Sequence, residues 1–511
     1  MNSRSSDRNL VLEGSQSSTQ DVEPTSCDSL IASGSSRDDL PNVLERIRRA
    51  LGPEDLLALL VPDFHHESRE TLKRRVLIAS QRAIAWIDQA VTKQLNAIIH
   101  SKKFQRLEAS WRGLYHLQEI RNQYPRVPCQ ILVLNATWLE LQSDLEESIA
   151  VEQSCFFKRV HDDYIGVPGG NPMSVLILDF DFNSKPANIA PLRKMCQVSR
   201  QSLLPVVGNA SAEMFKLDSF RDLSMRVSSS DPEQLQSKAW KLFREDENSR
   251  YLTLALPRIL MRSLIREDYS SIRDYIFREK HESADDYLWG GAAWGVGEVL
   301  IRNFAEHGWF INIRGMEQGV VSYGVVHGPA EAYFENEPNA ASPKSILETM
   351  ITDRTERTIS KLGLTVLCSS KFTTQAVLYS VPTVNKPKVL RDAETSVNYE
   401  LSSLLNYVLS ACRLGHGIKV MARDWTGSDK TQNSIQTKLN DWLIRYKNPS
   451  MDAPMDDRAK KPLIDCDVEV TSVPRSPGEY NCRIQLQPFH GIDNFSAKLI
   501  LETTVLNKAT G

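Results

Sequence analysis

Between about Glu67 and His100 a large apolar residue returns every three or four positions. Leu72, Val76, Ala79, Ala83, Ile87, Val91, Leu95 and Ile98 share one side of a helical wheel, and charged residues fill the other. The spacing predicts one long helix, and "FQRLEASWRGLYHLQEI" predicts a second behind it. Ahead of both, Leu40, Val43, Leu44, Ile47 and Leu51 keep helical spacing until Gly52-Pro53 breaks the run. Long helices with an apolar stripe suit a packed helical layer or the groove of a partner. Residues 1–40 are rich in Ser, Asp and Gly and poor in large apolar groups, a composition that predicts disorder.

The period then changes. "CQILVLNAT" (129–137) and "NPMSVLILDFDF" (171–182) are short aliphatic and β-branched runs bounded by turn residues, which predicts buried strands. Helical stretches lie between and after them, and "KLGLTVLCSS" and "AVLYSVPTV" add further strands, so the centre is α/β. Leu401, Leu404, Leu405, Val408 and Cys412 predict a helix ending at Gly415, and Ile435, Leu439, Trp442, Leu443 and Tyr446 predict another. A polar linker leads to three strands, "DCDVEVTSV", "EYNCRIQLQP" and "SAKLILETTV". In the middle one Tyr480, Cys482, Ile484 and Leu486 alternate with Asn481, Arg483, Gln485 and Gln487, which is strand period two with one face buried.

"WGGAAWGVGEVLIRNFAEHGWFINIRG" (289–315) offers the strongest hint of chemistry and then withdraws it. A dinucleotide fingerprint needs G-x-G-x-x-G, but Glu298, Val299 and Leu300 follow Gly297; no Gly-Lys pair exists for a Walker motif. Trp289, Ala293, Val296, Leu300 and Phe304 instead fit one face of a helix that stops at Gly308, with Glu298 and Arg302 spaced to pair and "WFINI" following as a strand. Each glycine inside a helix costs about 1 kcal/mol against alanine. The compensating gain is close approach by another element. Asp179 and Asp181 would share a strand face, as a magnesium site requires, but no further ligand follows at a recognisable spacing. The histidines form no HExxH, and no G-x-S-x-G elbow is present.

Composition narrows the class. The 511 residues are 41% hydrophobic, enough for a large core and roughly three domains. The net charge of -3 argues against a general nucleic-acid binder. The 8 cysteines show no CxxC spacing and predict buried free thiols in a reducing compartment. No apolar run reaches the ~20 residues of a membrane span, and the N-terminus has no signal core, which predicts a cytoplasmic protein without membrane insertion.

Ten segments carry a resemblance. In order they are "FQRLEASWRGLYHL", "GGNPMSVLILDFDF", "LPVVGNASAEMFKLDSF", "SRYLTLALPRILMR", "YLWGGAAWGVGEVLIRNFAEHGWFINIRG", "TDRTERTISKLGLTVL", "KPKVLRDAE", "LNDWLIRYKN", "AKKPLIDCDVEV" and "PGEYNCRIQLQPF". The set spans residues 70–505 and resembles the large subunit of the type VI secretion contractile sheath, the TssC/VipB family. The resemblance implies a mixed α/β, contractile-tail-sheath-like core with long N-terminal helices and a C-terminal antiparallel sheet. It implies a non-enzymatic role, without cofactor or metal. The expected partners are a TssB/VipA-like small sheath subunit, further copies in a helical polymer, the inner tube protein Hcp, the baseplate and a Clp-type AAA+ ATPase. The related single-chain sheaths of phage-tail-like injection machines are the alternative, with a metal- or nucleotide-dependent enzyme using Asp179 and Asp181 behind them.

Combined with the periodicity, this divides the chain into a disordered segment 1–40, a helical region 41–125 that pairs with the small subunit, an α/β sheath domain 126–390, and C-terminal helices and strands 391–511. A strand near a sheet edge can accept a neighbour's strand. Tyr480, Cys482, Arg483, Ile484 and Leu486 are therefore the inter-subunit candidates. Family members carry an apolar N-terminal helix that the ATPase recognises. The comparable stretch here, "SCDSLIASGSSRDD", is Ser/Gly-rich and a poor helix former, which leaves Leu44, Ile47 and Leu51 as the N-terminal partner-helix candidates.

Overall fold

The structure is a computed structural model. It describes residues 68–506 except 168, 230–231, 266–276, 317–322, 331–344, 371–372, 389–392, 426–430, 449, 451–454, 473–478 and 489–498. The chain divides into two compact units, Met1–Ala97 with Glu267–Arg278, and Ile98–Arg266 with Glu279–Gly511.

In the first unit the described chain is almost entirely α1 (Arg69–Ile99). Its 31 residues span about 46 Å at helical rise. The predicted stripe is its more sheltered side: Leu72, Val76, Ala79, Ala83, Ile87 and Leu95 are half-buried, while Val91 and Ile98 are exposed. No residue of α1 is fully buried, and Leu77, Ile84 and Trp86 add apolar surface elsewhere on the rod.

The second unit runs α2 (Lys102–Gln123), α3 (Trp138–Glu147), β1 (Leu176–Phe182), α4 (Pro186–Ser202), β2 (Val206–Ala210), β3 (Leu252–Leu256), β4 (Ile259–Arg262), β5 (Leu288–Gly290), α5 (Ala292–His307), β6 (Val325–Val326), α6 (Asp353–Lys361), β7 (Thr365–Ser369), β8 (Ala376–Leu378), α7 (Ala393–Ser402), α8 (Leu405–Trp425), α9 (Gln432–Ile444), β9 (Leu463–Ser472), β10 (Glu479–Pro488) and β11 (Leu499–Leu506), with shorter turns of helix between. Six strands form one sheet in the order β1-β2-β3-β7-β8-β6. The first four are parallel, β8 runs antiparallel to β7, and β6 runs antiparallel to β8.

Helices cover both faces of this sheet, the expected arrangement for parallel strands. Leu252, Leu254 and Leu256 of β3 point into a cluster with Leu192 and Met195 of α4. Ala255, one residue out of phase, points the other way, to Val296 and Val299 of α5 and Leu117 of α2. A third cluster joins Ile418 of α8 and Leu439 and Leu443 of α9 to Val468, Cys482 and Ile484 of the C-terminal sheet. The mixed α/β architecture expected from the alternating elements is the one observed.

Several local expectations change. Residues 129–137 form no strand. Ile131 turns toward the α5-side cluster and Leu134 toward the α4-side cluster, while Leu132 and Val133 are exposed. Apolar contacts three residues apart do not match a strand's period of two. "WFINI" is likewise a buried irregular segment, because Trp309 packs into the C-terminal cluster while Phe310 and Ile313 pack into the central one. Trp289 belongs to β5, and α5 begins only at Ala292.

The helix predicted to end at Gly415 is two helices. Its main chain breaks at Ser403-Leu404, where Ser403 O accepts from Thr383 N and Leu405 N donates to Val381 O, each at 2.8 Å. Past that break α8 continues through Gly415 to Trp425. Cys196, Cys368, Cys412 and Cys482 are buried free thiols as expected, whereas Cys155 is exposed. Among the described residues no helix is long and apolar enough to cross a membrane.

Candidate assembly surfaces

The glycines of α5 let it sit directly on the sheet. A Cβ at Gly297 would stand 2.6 Å from Ile177 Cδ1, and one at Gly295 would stand 3.0 Å from Val326 Cγ1. The helix ends as its sequence suggests: Gly308 takes φ 75° and donates to Phe304 O at 2.8 Å. Glu298, the residue after Gly297, is only 1% exposed. It meets Arg302 Nη1 at 3.0 Å, His116 Nε2 at 3.0 Å, His327 Nδ1 and N at 2.9 Å, and Gly328 N at 3.1 Å. Burial works against its ionisation. Hydrogen bonds from His116 and His327 and the charge of Arg302 outweigh it and hold the carboxyl well below its ordinary range.

His116 brings α2 into that network, and α2 is fastened along its whole inner face. Ala109, Gly113, His116, Leu117 and Ile120 are buried at helical spacing. Ser110 Oγ donates to Asp179 of β1, whose other oxygen accepts from Trp294 Nε1 of α5 at 3.1 Å. Glu108 takes Arg262 Nε at 2.7 Å, and Arg262 also reaches the buried Glu279 at 2.5 Å. Glu279 in turn accepts from Ile265 N at 2.8 Å and pairs with His100 Nε2 at 3.0 Å. Buried charges of this kind persist only when fully paired, and these are.

The outer face of α2 is the reverse. Phe104, Leu107, Trp111 and Tyr115 follow one another at three, four and four residues, and Trp111 and Tyr115 each keep 65% of their surface exposed. Sequence reading places α2 in the partner-pairing helical region 41–125 but singles out none of these four residues. The signal was present: its wheel has two opposed apolar faces, one of small and aliphatic residues and one of large aromatic ones.

The C-terminal sheet has the order β11-β10-β9, all antiparallel. Tyr480, Cys482, Arg483, Ile484 and Leu486 lie on β10, the middle strand. Ile484 is opposite Val468 on one side and Leu501 on the other. The alternation read from the sequence holds, with Cys482, Ile484 and Leu486 buried and Arg483 exposed. The edge position that strand addition requires is not theirs, because both edges of β10 are already paired. Among the described residues the open edges belong to β9 and β11. At its start β9 is partly covered: Leu463 N donates to Tyr446 O at 3.0 Å, and Leu463 O accepts from Asn448 N at 2.7 Å. Leu44, Ile47 and Leu51 lie outside the described residues.

Asp179 and Asp181 do share a face of β1, but Asp179 is occupied by Ser110 and Trp294, and Asp181 is exposed. Among the described residues no group of histidine, cysteine or carboxylate side chains could hold a metal. The α5 glycines face hydrophobic side chains rather than a phosphate-sized hollow.

Comparison with known proteins gives two family matches in tandem. The family described as "EvpB/VC_A0108, tail sheath N-terminal domain" matches residues 81–385. The "EvpB/VC_A0108, tail sheath gpW/gp25-like domain" matches residues 394–505. The type VI secretion system sheath protein TssC1 of Pseudomonas aeruginosa PAO1 is 29% identical over 447 residues, 85% of this chain and 87% of that one. A sheath tail protein of known structure from Desulfitobacterium hafniense aligns at a TM-score of 0.32 and 9% identity, over 64% of this chain and 57% of its own. That last likeness is too weak to bear on the fold.

Proposed function

This chain belongs to the EvpB/VC_A0108 tail sheath family, and we infer that it is the structural large subunit of a type VI secretion contractile sheath. The observation that carries the reading is the ordered match to both sheath domains, supported by similarity to a named type VI sheath protein along most of both chains. On this reading the chain joins a small sheath subunit and its heterodimers build a helical tube in the bacterial cytoplasm. The tube surrounds an inner Hcp tube, is anchored on a baseplate, and contracts to drive the inner tube outward. It catalyses nothing, and a Clp-type ATPase recycles the contracted form through the N-terminal region that contains Leu44, Ile47 and Leu51.

The physical demands of such a machine suit the fold. A sheath subunit must move as a rigid body while its links to neighbours survive. The sheet packed on α4 and α5, locked by the Glu298 and Arg262 networks, supplies a stiff body. Links that tolerate motion are main-chain hydrogen bonds between strands, and the outer edges of β9 and β11 are the candidates for accepting a neighbour's strand. Region 41–125, with the exposed apolar surface of α1, is the candidate for pairing with the small subunit.

Affinity purification of the full chain co-expressed with the small sheath subunit of the same organism tests the reading. The expected result is a stoichiometric complex that sediments as a polymer. A chain that stays monomeric beside its co-expressed partner would overturn it.

A further inference from the structure

We propose that Glu279 is a staple that ties into one rigid root the three places where the main chain passes between the two compact units. The passages fall at Ala97-Ile98, Arg266-Glu267 and Arg278-Glu279. The residues that make the staple, His100, Glu108, Arg262, Ile265 and Glu279, all belong to the second unit. They nevertheless reach each passage to within a few residues.

The outgoing and returning chain are bridged in both directions. Ile265 N donates to Glu279 Oε2 at 2.8 Å, and Glu279 N donates to Ile265 O at 3.0 Å. This closes the excursion 267–278 at its base. His100 sits in the break between α1 and α2 and donates from Nε2 to Glu279 Oε1 at 3.0 Å. The same carboxylate therefore holds the remaining passage. Arg262 of β4 reaches Glu279 at 2.5 Å and Glu108 of α2 at 2.7 Å, which anchors the cluster to two regular elements. Gln105 Nε2 donates to the main-chain oxygens of Asp285 and Asp286, each at 3.3 Å, so the returning chain stays fastened to α2 beyond Glu279.

Only a carboxylate suits this place. Donors from Arg262, Ile265 and His100 converge on its two oxygens, and Glu279 is only 1% exposed. Burial works against its charge, but the hydrogen bonds from Arg262, Ile265 and His100 outweigh it and hold the carboxyl below its ordinary range. A glutamine would set N–H groups among donors. Because two oxygens serve all three passages, none can shift without uncoupling a buried charge from the others. On the sheath reading, a pull delivered through the first unit enters the second at one point rather than three. The staple itself rests on this chain alone.

Hydrogen exchange read by mass spectrometry on the full chain, bound to its co-expressed small subunit, tests the proposal. In Glu279→Gln, exchange in peptides covering 98–106, 262–265 and 279–286 should rise together, by at least about tenfold, while peptides from β3 and β7 keep their wild-type protection. A rise confined to one passage would mark an ordinary ion pair and overturn the staple. An equal rise in β3 and β7 would assign Glu279 to global stability and overturn it too. His100→Ala, at a partly exposed position, keeps the test open if the first variant does not fold. It should loosen all three passages to a smaller extent, and a change limited to 98–106 would contradict the proposal. Failure of the wild-type chain to bind the small subunit would remove the sheath reading, and the same comparison on the chain alone would still decide the staple.

Discussion

Gly113 of α2 lies so close against the indole of Trp294 that a Cβ built on the glycine would stand 2.4 Å from Cδ2 and Cε2 of the ring. Real Cβ atoms do not approach a ring this closely. One missing side chain thus sets the distance between α2 and α5, and with it the reach of His116 to Glu298 and of Ser110 to Asp179.

Gly113→Ala is therefore expected to destabilise the protein although alanine is the better helix former. The propensity gain of about 1 kcal/mol is outweighed by overpacking against a rigid ring, which costs about 1–3 kcal/mol, and by loosening of the polar contacts beyond it. Thermal unfolding should show a lower Tm. On a Trp294→Ala background the same change should become neutral or stabilising, and a double-mutant cycle reads the coupling. Additive effects would show that the contact does not control the crossing.

Gly415→Ala should behave differently. It lies inside α8, where an added Cβ would meet Leu203 Cδ1 at 2.6 Å, the free end of a flexible side chain. Rotation of Leu203 can relieve that contact. Helix propensity should then leave the variant within about 1 kcal/mol of wild type by chemical denaturation.

Glu298 links stability to acid. Its folded-state carboxyl titrates below the ordinary range, so its contribution is complete above the unfolded value of about 4.3 and is lost as pH falls from there through the folded value. Glu298→Gln should lower stability near neutral pH by about 3–5 kcal/mol, because Arg302 is left buried without its charge partner. The same variant should show a shallower loss of stability below pH ~4 than the wild type. Urea denaturation across that pH window measures both effects. Parallel slopes would place the acid sensitivity elsewhere.

Ile484→Pro should damage the C-terminal sheet itself rather than block assembly selectively. Ile484 is buried on β10 between β9 and β11, and proline removes a ladder donor from a central strand. The buried thiol of Cys482 reports the outcome. Its labelling by a thiol reagent in native buffer should rise sharply in the variant. Protection equal to wild type would mean that the strand tolerates the break.

These cases show what the sequence made legible. α1 and the alternation of β10 could be read directly, because each follows a strong period over many residues. The glycines of α5 could be read as sites of close approach, but not what approaches them. Residues 131–134, Ile-Leu-Val-Leu, have the aliphatic side chains of a buried strand. Pairing needs a neighbouring backbone at the right register, and β propensity says nothing of that. The central position of β10 was hidden for the same reason, since edge and centre differ only in long-range pairing. The Glu298 network joins residues 182 positions apart through His116, beyond the reach of any local pattern.

Electron microscopy of the full chain co-expressed with its small sheath subunit tests the central claim most directly. The account expects long hollow tubes with regular helical striation, containing both chains in equal number. Dispersed particles or a filament of this chain alone, from a folded preparation in which both proteins are present, would contradict it.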